Sequence, residues 1–381
     1  MTLYSDAFAD LRGWLFDAAL PFAVDVGVDP VHGGFFERFT PTGEPIGDPR
    51  RARVAGRQVY VFAAAERLGW GDRARPMMRH ALAFLDRHLV DPDGIVVPTV
   101  APDGTIVKAG FDLYDQAFVL FGLAAAAAAG EDPDGLRDRA RTLRDRMVAG
   151  WSHPDAGFEE AMPRTLPLKA NPHMHMFEAA LAWAAIDPDS GWDALADTLA
   201  ELALARFINP ANGSLREYYD GDWRFIDTPE MDVVEPGHQF EWAWLLIRWG
   251  TLRNRPDAIA AARRLVDLAE AHGVSTEQHL AVNELTPDLQ VRDPLLRLWP
   301  QTERIKAHVA LAGIARDAVE RDRAEAAAAA ATRGLLRFFD HPVRGSWWEH
   351  LDIDGHPMAE PARLSSLYHI VCAASVLAGD D

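Results

Sequence analysis

The sequence repeats one short pattern six times, and this repeat constrains the fold more than any other feature. Each copy is a glycine followed by aromatic or β-branched residues, placed between segments whose apolar residues recur at helical spacing. Intervals of 60, 63, 56, 60 and 72 residues separate the marker glycines, which are Gly34, Gly94, Gly157, Gly213, Gly273 and Gly345. One such unit cannot bury its apolar faces alone, so the units must pack against one another.

The helical spacing predicts about twelve helices. The windows are Phe8–Phe22, Arg51–Leu68, Ala74–Leu89, Leu113–Ala129, Gly135–Ala149, Met174–Ile186, Trp192–Phe207, Phe240–Trp249, Asp257–Ala271, Arg304–Ala318, Ala324–Phe339 and Leu364–Leu377. Between alternate helices, most of the glycine-led stretches are typical of β-hairpins. They read GGFFERFTPTGEPI, DGIVVPTVAPDGTIV, AGFEEAMP, NGSLREYYDGDWRFI, HGVSTEQHLAV and GSWWEHLDIDGHPM.

Six helix-pair units predict an all-α fold, an (α/α)6 barrel with short β-hairpins at one rim. A closed ring explains the count better than an open solenoid, because no distinct polar capping repeat is present. A helical array that does not close is the alternative. No linker rich in proline, glycine and serine separates the units, so we expect one domain over residues 1–381.

Charge and cysteine content exclude several classes of protein. The formal net charge is −19, and no run of basic residues alternates with aromatic residues, which disfavours nucleic acids and anionic membranes as partners. A single cysteine, Cys372, fits a reducing compartment. The longest uncharged apolar run, Ala117–Gly130, is shorter than the roughly 20 residues that span a bilayer. We therefore expect a cytoplasmic monomer or homodimer that binds a small molecule.

Residues at similar offsets after the marker glycines should lie on one rim of a ring. These residues are Arg53, Tyr114, His175, His238, Gln301 and His369. An arginine, a tyrosine, a glutamine and three histidines are unusual for a packed core and suit a polar pocket at the barrel mouth. Taken singly, a histidine near the start of an apolar helix is more often a capped or hydrogen-bonded structural residue.

Two histidines are each followed three residues later by a glutamate. His238 and Glu241 share a helix face, so the carboxylate could orient the imidazole, and His175 with Glu178 repeats the spacing. His173 falls on nearly the opposite side of the helix from His175, and no HExxH or CxxC spacing is present. We therefore predict no metal site.

The segment LWPQTERIKA adds a stacking face, an amide and a carboxylate in Trp299, Gln301 and Glu303. Aromatic rings beside amides and carboxylates suit a neutral carbohydrate. No P-loop, no GxGxxG opening a helix and no GxSxG is found, so no nucleotide or other cofactor is predicted.

Six segments together resemble one family over nearly the full length. ARVAGRQVYVFAAA, NPHMHMFEAALAW, EPGHQFEWAWLL, LWPQTE, GSWWEHLDIDGHP and LYH are similar, in this order, to the N-acylglucosamine 2-epimerase superfamily of (α/α)6 barrels. The resemblance implies that Arg53 and His175 contact a sugar and that His238 and His369 form the acid/base pair. The NPHMH motif adds Asn171 to the binding residues.

Within that superfamily the residues of the RVAGRQVYVF and NPHMH segments are most similar to those of the bacterial mannose isomerase branch. The nucleotide-effector segment of the mammalian-type epimerases is absent, and ARLSSLYH replaces the basic and aromatic stretch of the cellobiose epimerases. We therefore expect interconversion of D-mannose and D-fructose through ring opening and a cis-enediol, with Arg53 stabilising the enediolate in place of a metal.

Three other functions stay open at this point. The first is a sugar 2-epimerase of the N-acylglucosamine or cellobiose type. The second is an inverting glycosidase, for which Glu241 and Glu303 are the available carboxylates. The third is a protein-binding module without catalysis, which the acidic charge permits and the polar rim disfavours.

Overall fold

The computed structural model describes residues 2–161 and 163–380, and that part of the chain is mostly helical. A π-helical turn, Leu15–Ala19, joins the first two helices into one segment, so the described chain contains the expected twelve helical segments. The helices are α1 Ser5–Trp14, α2 Leu20–Asp25, α3 Ala52–Arg67, α4 Ala74–His88, α5 Leu113–Ala128, α6 Pro133–Trp151, α7 Ala170–Ile186, α8 Trp192–Leu202, α9 Pro236–Leu252, α10 Pro256–His272, α11 Leu298–Gly313, α12 Ala318–Leu336 and α13 Leu364–Ala378.

From α3 onward the helices alternate between two kinds of burial. The odd-numbered helices are buried on most faces, as in α5, where LYDQAFVLFGLAAAAA offers almost no charge. The even-numbered helices bury a single stripe, as in α6, where the buried residues are Leu136, Ala140, Leu143 and Met147. A helix that is apolar all round belongs in a core, and an amphipathic helix covers it from outside.

The inner helices contact one another in a continuous sequence. α3 packs on α5, α5 on α7, α7 on α9, α9 on α11 and α11 on α13, and α13 returns to contact α3. The approach of α3 to α5 needs two glycines. A Cβ added to Gly56 would lie 2.4 Å from the carbonyl oxygen of Phe118, and one added to Gly122 would lie 2.5 Å from the oxygen of Gly56.

The strands are short and lie at the end where the inner helices begin. They are β1 Arg38–Phe39, β2 Pro45–Ile46, β3 Arg50–Arg51, β4 Thr99–Val100, β5 Ile106–Lys108, β6 Leu168–Lys169, β7 Tyr218–Tyr219, β8 Val282–Leu285, β9 Val291–Arg297, β10 His350–Leu351 and β11 Ala362–Arg363. The strand before an inner helix pairs with the next hairpin, as β3 does with β4, β6 with β7 and β9 with β10. β11, from the end of the chain, pairs with β1, so the last unit is hydrogen-bonded to the first.

Three buried glutamines, one on each of three inner helices, form hydrogen bonds to the preceding hairpin. Gln116 accepts from the backbone N–H of Val96 and donates to its carbonyl, and Gln239 does the same with Leu215. Gln301 repeats the pair of bonds with Ala281. A primary amide matches one peptide unit as donor and acceptor, so each glutamine satisfies backbone groups that would otherwise be buried without partners.

Some element boundaries differ from the sequence-based expectation. Helix α11 covers Leu298–Gly313 and not Arg304–Ala318, because Pro300 is tolerated in its first turn. Helix α12 then starts at Ala318, where the side chain of Asp317 caps it by accepting from the N–H of Glu320. Cys372 is buried, and Met162, within the expected third hairpin, lies outside the described residues. No helix of the described chain is both long and apolar enough to cross a membrane.

Candidate active site

The first turns of the inner helices surround a cavity of about 380 Å³. Each inner helix contributes at least one side chain to its wall, and the loops and strands before them add more. The lining residues are Arg51, Arg53, Arg57, Tyr114, Asn171, His175, Glu235, His238, Glu241, Arg297, Trp299, Glu349, Arg363, Ser365, Ser366 and His369. Of the ten side chains chosen from the sequence, eight therefore line one cavity.

His238 is buried among carboxylates at the start of α9. Its Nδ1 lies 2.9 Å from Glu217 Oε1, in the fourth hairpin, and 3.8 Å from Glu235 Oε2. Burial alone would lower the pKa of this imidazole, but the two carboxylates outweigh burial and raise the pKa to about 10. His238 is therefore an imidazolium at neutral pH and can donate a proton.

His369, in α13, has the opposite protonation state. Burial lowers its pKa well below the usual value, and the positive charges of Arg57 and Lys306 lower it further. Its Nδ1 lies 2.9 Å from Glu303 Oε1. A carboxylate at Nδ1 favours the tautomer with hydrogen on that nitrogen, so Nε2 is left unprotonated and can act as a base.

The indole of Trp299 contacts both of these histidines. Its ring centroid is 5.0 Å from that of His238 and 5.6 Å from that of His369. Gly237 makes this placement possible, because a Cβ at that position would lie 2.4 Å from two carbons of the indole. The glycine of the PGH motif thus leaves room for the indole beside His238.

His175 also lines the cavity, beside Tyr114, with ring centroids 5.2 Å apart. Its Nδ1 lies 3.2 Å from Glu178, which also accepts hydrogen bonds of 2.8 and 2.7 Å from the hydroxyl of Tyr368. Burial lowers the pKa of His175 to about 4, so it is neutral. His173, two residues earlier, does not line the cavity and bonds to backbone groups of the third repeat.

Arg57 is the buried cation of the pocket, and the sequence analysis missed it. Its guanidinium stacks over Phe118, 3.9 Å from the ring centroid, and donates to the Tyr114 hydroxyl at 2.9 Å. It forms no ion pair with any described residue, and its buried Nε has no hydrogen-bond partner. Arg53, by contrast, lies 3.7 Å from the buried carboxylate of Asp115. Arg57 is therefore a buried cation available to a ligand.

Three sets of one histidine and two glutamates bring potential metal-ligating atoms within 4.8 Å of one another. Two of the sets share Glu241, whose carboxylate oxygens have no hydrogen-bond partner. The ammonium of Lys306 already lies 3.7 Å from Glu241 and forms an ion pair with Glu303. The Lys306 ammonium thus supplies a positive charge beside Glu241 and Glu303. That the reaction needs no metal stays a prediction.

Two residues chosen from LWPQTERIKA do not lie where the sequence placed them. Gln301 is buried outside the cavity, because its amide is used by the backbone of Ala281 and Arg297. Glu303 is also outside the cavity, behind His369. In a helix, residues two apart point in different directions, so only Trp299 of the three faces the pocket.

The partner of His238 also differs from the expectation. It is Glu217, 21 residues earlier and in a hairpin, while Glu241 of the same helix lines the cavity. Glu37, Glu217 and Glu349 occupy similar places in their hairpins, three or four residues after the marker glycine, and all are buried. That recurrence is the sequence signal that would have identified Glu217.

Comparisons with known proteins agree on one family. A family model described as N-acylglucosamine 2-epimerase (GlcNAc 2-epimerase) matches residues 34–373. A Rhizobium meliloti (strain 1021) protein named mannose-6-phosphate isomerase is 44% identical over 367 residues, covering 96% of this chain and 95% of that protein.

Two solved structures share the fold. A D-mannose isomerase is 21% identical, with a TM-score of 0.86 and coverage of 97% of both chains. A cellobiose 2-epimerase from Spirochaeta thermophila DSM 6192 is also 21% identical with a TM-score of 0.86, covering 97% of this chain and 95% of its own.

Proposed function

The chain belongs to the N-acylglucosamine 2-epimerase family and is a sugar isomerase or epimerase; from that premise, we propose that it interconverts D-mannose and D-fructose. The observation that carries the proposal is the pair of histidines that both contact Trp299, one held protonated and the other held neutral. Carboxylates push the pKa of His238 upward and burial pushes that of His369 downward, which is the separation that acid/base chemistry at neutral pH requires.

The reaction begins with the cyclic sugar, whose C2 proton becomes acidic only in the open-chain aldehyde. His238, as imidazolium, donates a proton to the ring oxygen O5, and the anomeric hydroxyl gives its own proton to solvent water, from which His238 regains its charge. The ring C1–O5 bond breaks and the C1 aldehyde forms. A proton donor with a pKa near 10 stays charged throughout the neutral range, so it can serve this step.

His369 then acts at C2. Its Nε2 takes the C2 proton, and the electron pair of the C2–H bond forms the C1=C2 double bond. The π electron pair of the C1 carbonyl moves to O1. O1 gains a proton as O2 loses one, and the proton on His369 returns to C1 while the C2 carbonyl forms. One base on one face therefore suffices for an isomerase, whereas an epimerase needs proton transfer at both faces of C2.

Arg57 is better placed than Arg53 to stabilise the enediolate. A buried guanidinium with no carboxylate partner and a free Nε provides fixed donors for developing negative charge. Arg53 shares its charge with Asp115, and burial raises the pKa of that carboxyl to about 7. Asn171, Tyr114, His175 and Glu241 line the cavity and provide further polar groups for sugar hydroxyls.

A second candidate is isomerisation of the 6-phosphate ester of mannose. Five arginines line the cavity of a chain whose net charge is −19, which favours an anionic substituent, and the 44%-identical relative is named mannose-6-phosphate isomerase. The inverting glycosidase is disfavoured, because Glu303 is screened from the cavity by His369 and forms an ion pair with Lys306. No observation in the pocket supports the hypothesis of a protein-binding module without catalysis.

We also propose a fold, the (α/α)6 barrel that the family resemblance implies. The inner helices contact one another in sequence from α3 to α13 and back to α3, and β11 pairs with β1. These contacts support an (α/α)6 barrel of six helix-pair units forming one domain over residues 1–381.

One experiment separates the candidate reactions. The protein is incubated in D₂O with D-mannose, mannose 6-phosphate, cellobiose or N-acetylmannosamine, and the products are followed by NMR. Fructose as the first product supports the proposal, with deuterium at C1 to the extent that the proton held by His369 exchanges with solvent before it is returned. A far higher kcat/KM for the phosphate ester supports the second candidate. Glucose deuterated at C2, or efficient conversion of cellobiose, would place the protein among the epimerases.

A further inference from the structure

Lysine is rare in this chain, and one lysine lies at the bottom of the site. Of the 38 basic residues only three are lysines, Lys108, Lys169 and Lys306. The side chains of Lys108 and Lys169 are 56% and 44% exposed, whereas that of Lys306 is 0% exposed. Burying an ammonium is costly unless negative groups surround it, so the position of Lys306 needs a reason.

The contacts of Lys306 supply that reason. Its Nζ forms an ion pair with Glu303 Oε2, lies 3.7 Å from Glu241 Oε1 and 3.9 Å from Cys372 Sγ, and sits 4.0 Å from the ring centroid of Trp244. It does not line the cavity. Lys306 therefore touches no substrate, and any effect on the reaction must pass through the carboxylates.

Glu303 connects this buried charge to the proposed base. Its Oε2 faces the Lys306 ammonium, while its Oε1 faces His369 Nδ1 at 2.9 Å and accepts from Thr302 at 3.1 Å. A charged carboxylate at Nδ1 can only accept a hydrogen bond, which fixes the proton of the neutral imidazole on Nδ1. A protonated carboxyl could donate to Nδ1 instead, which would move the imidazole hydrogen to Nε2 and remove the base.

We propose that Lys306 is a positioning residue that keeps Glu303 ionised and thereby holds His369 in the tautomer whose Nε2 is free to accept a proton. The role assigned to Nε2 rests on the proposed function, but the tautomer itself does not. The compact ammonium suits this place, because its charge is concentrated at one atom and its three donors reach several acceptors.

Several titratable groups around the cluster bear on this balance. Glu178 from α7, Glu241 from α9 and Cys372 from α13 face Lys306 together with Glu303 of its own helix. Burial raises the pKa of Glu303, and the charge of Lys306 opposes that rise. Arg57 and Arg297 also act on His369, and both remain when Lys306 is replaced. Removing Lys306 thus leaves neighbouring buried carboxylates without their nearest cation.

The test replaces Lys306 with methionine, which keeps much of the length and removes the charge. Arg304→Met is the matched control, since Arg304 lies on the same helix in a partly buried ion pair with Glu270, directed away from the cavity. Long-range ¹H–¹⁵N NMR of histidine-labelled protein, without substrate, reports the tautomer of His369, and a His369→Gln variant assigns its signals. Thermal unfolding is recorded for every variant.

We expect His369 to carry its proton on Nδ1 at pH 7 in the wild type and in Arg304→Met, and on Nε2 or on both nitrogens in Lys306→Met. In the isomerase assay, kcat of Lys306→Met should fall on the order of 10²-fold, with KM changed much less. The acidic limb of its pH profile should also move upward, because a positive charge near His369 has been removed.

The opposite outcomes are equally definite. An unchanged His369 tautomer in folded Lys306→Met, or an unchanged pH profile, would assign Lys306 a structural role alone. If Lys306→Met does not fold, the double variant Glu303→Gln/Lys306→Met should recover folding, since it removes the carboxylate that needs the counter-charge, and failure to recover also overturns the proposal. A wild type inactive on all four sugars, with the expected tautomer shift intact, would reject the proposed function and leave the inference about Lys306 standing.

Discussion

Replacing Glu217 with glutamine tests whether this hairpin carboxylate keeps His238, the proposed proton donor, in its protonated form. Glu217 lies 2.9 Å from His238 Nδ1, and Glu235 lies 3.8 Å away, and together they raise the pKa of His238 from 6.5 to about 10. At about 1.4 kcal/mol per pKa unit, that shift favours the imidazolium by roughly 5 kcal/mol. Glutamine keeps the size and an acceptor oxygen but removes the nearer charge.

The expected change follows from that geometry. An opposite charge at this distance is worth about 1–3 pKa units, so the pKa of His238 should fall to about 8 in Glu217→Gln. The alkaline limb of kcat/KM, expected near pH 10 in the wild type, should move with it. At pH 9 the variant should lose about ten-fold in kcat/KM, while at pH 7 most molecules retain a protonated His238.

The assay is a kcat/KM profile from pH 6 to 11 with the preferred sugar. Glu37→Gln is the control, because Glu37 occupies the matching place in the first hairpin but pairs with Arg51 and with no histidine. That variant should leave the alkaline limb in place, whatever it does to KM. An alkaline limb unmoved in Glu217→Gln, or equal shifts in both variants, would refute the assignment of His238 as an acid held charged by Glu217.

Four further outcomes are expected. Alanine at His238 or at His369 should lower kcat by 10²–10⁴-fold or more while circular dichroism stays native, and near-normal kcat in either variant would reject the acid/base pair. Activity should survive dialysis against EDTA without nucleotide, whereas loss with recovery on Mn²⁺, Zn²⁺ or Co²⁺ would reject metal independence. Alanine at Gly237 should displace the Trp299 indole, reducing its quenching by the flanking histidines and lowering kcat/KM, and unchanged tryptophan fluorescence and kinetics would contradict the close contact. The pKa of His175 is lowered to about 4, so its unfolded form binds a proton first and stability should fall as pH drops from 6.5 towards 4, by roughly 3 kcal/mol for this group, as measured by denaturant unfolding and compared with His175→Gln.

The repeat and its helices could be predicted from the sequence because their signals are local. Helical periodicity and marker glycines lie within windows of about twenty residues, and they identify the twelve helical segments. Errors occurred where a local rule was ambiguous, as at α11, which opens with Leu298 ahead of a proline. The resemblance placed His238 and His369 in the site through short motifs of the same kind.

The side chains that contact His238 and His369 could not be predicted from short motifs. His238 meets Glu217 from a hairpin, His369 meets Glu303 from 66 residues earlier, and Tyr368 meets Glu178 from 190 residues earlier. Offsets within one repeat do not say which side chains of different repeats meet. For that reason Arg57 and Lys306 were missed, and Gln301 was placed in the pocket although its amide bonds to backbone.

The sequence by itself therefore determined the helices, the family and the choice of two histidines that line the cavity, because each depends on residue types at short spacing. Only the tertiary structure decided the protonation states, because a pKa depends on burial and on charges brought together from distant parts of the chain. His238 and His369 are the same residue type at similar offsets, and their surroundings alone raise the pKa of one and lower the pKa of the other.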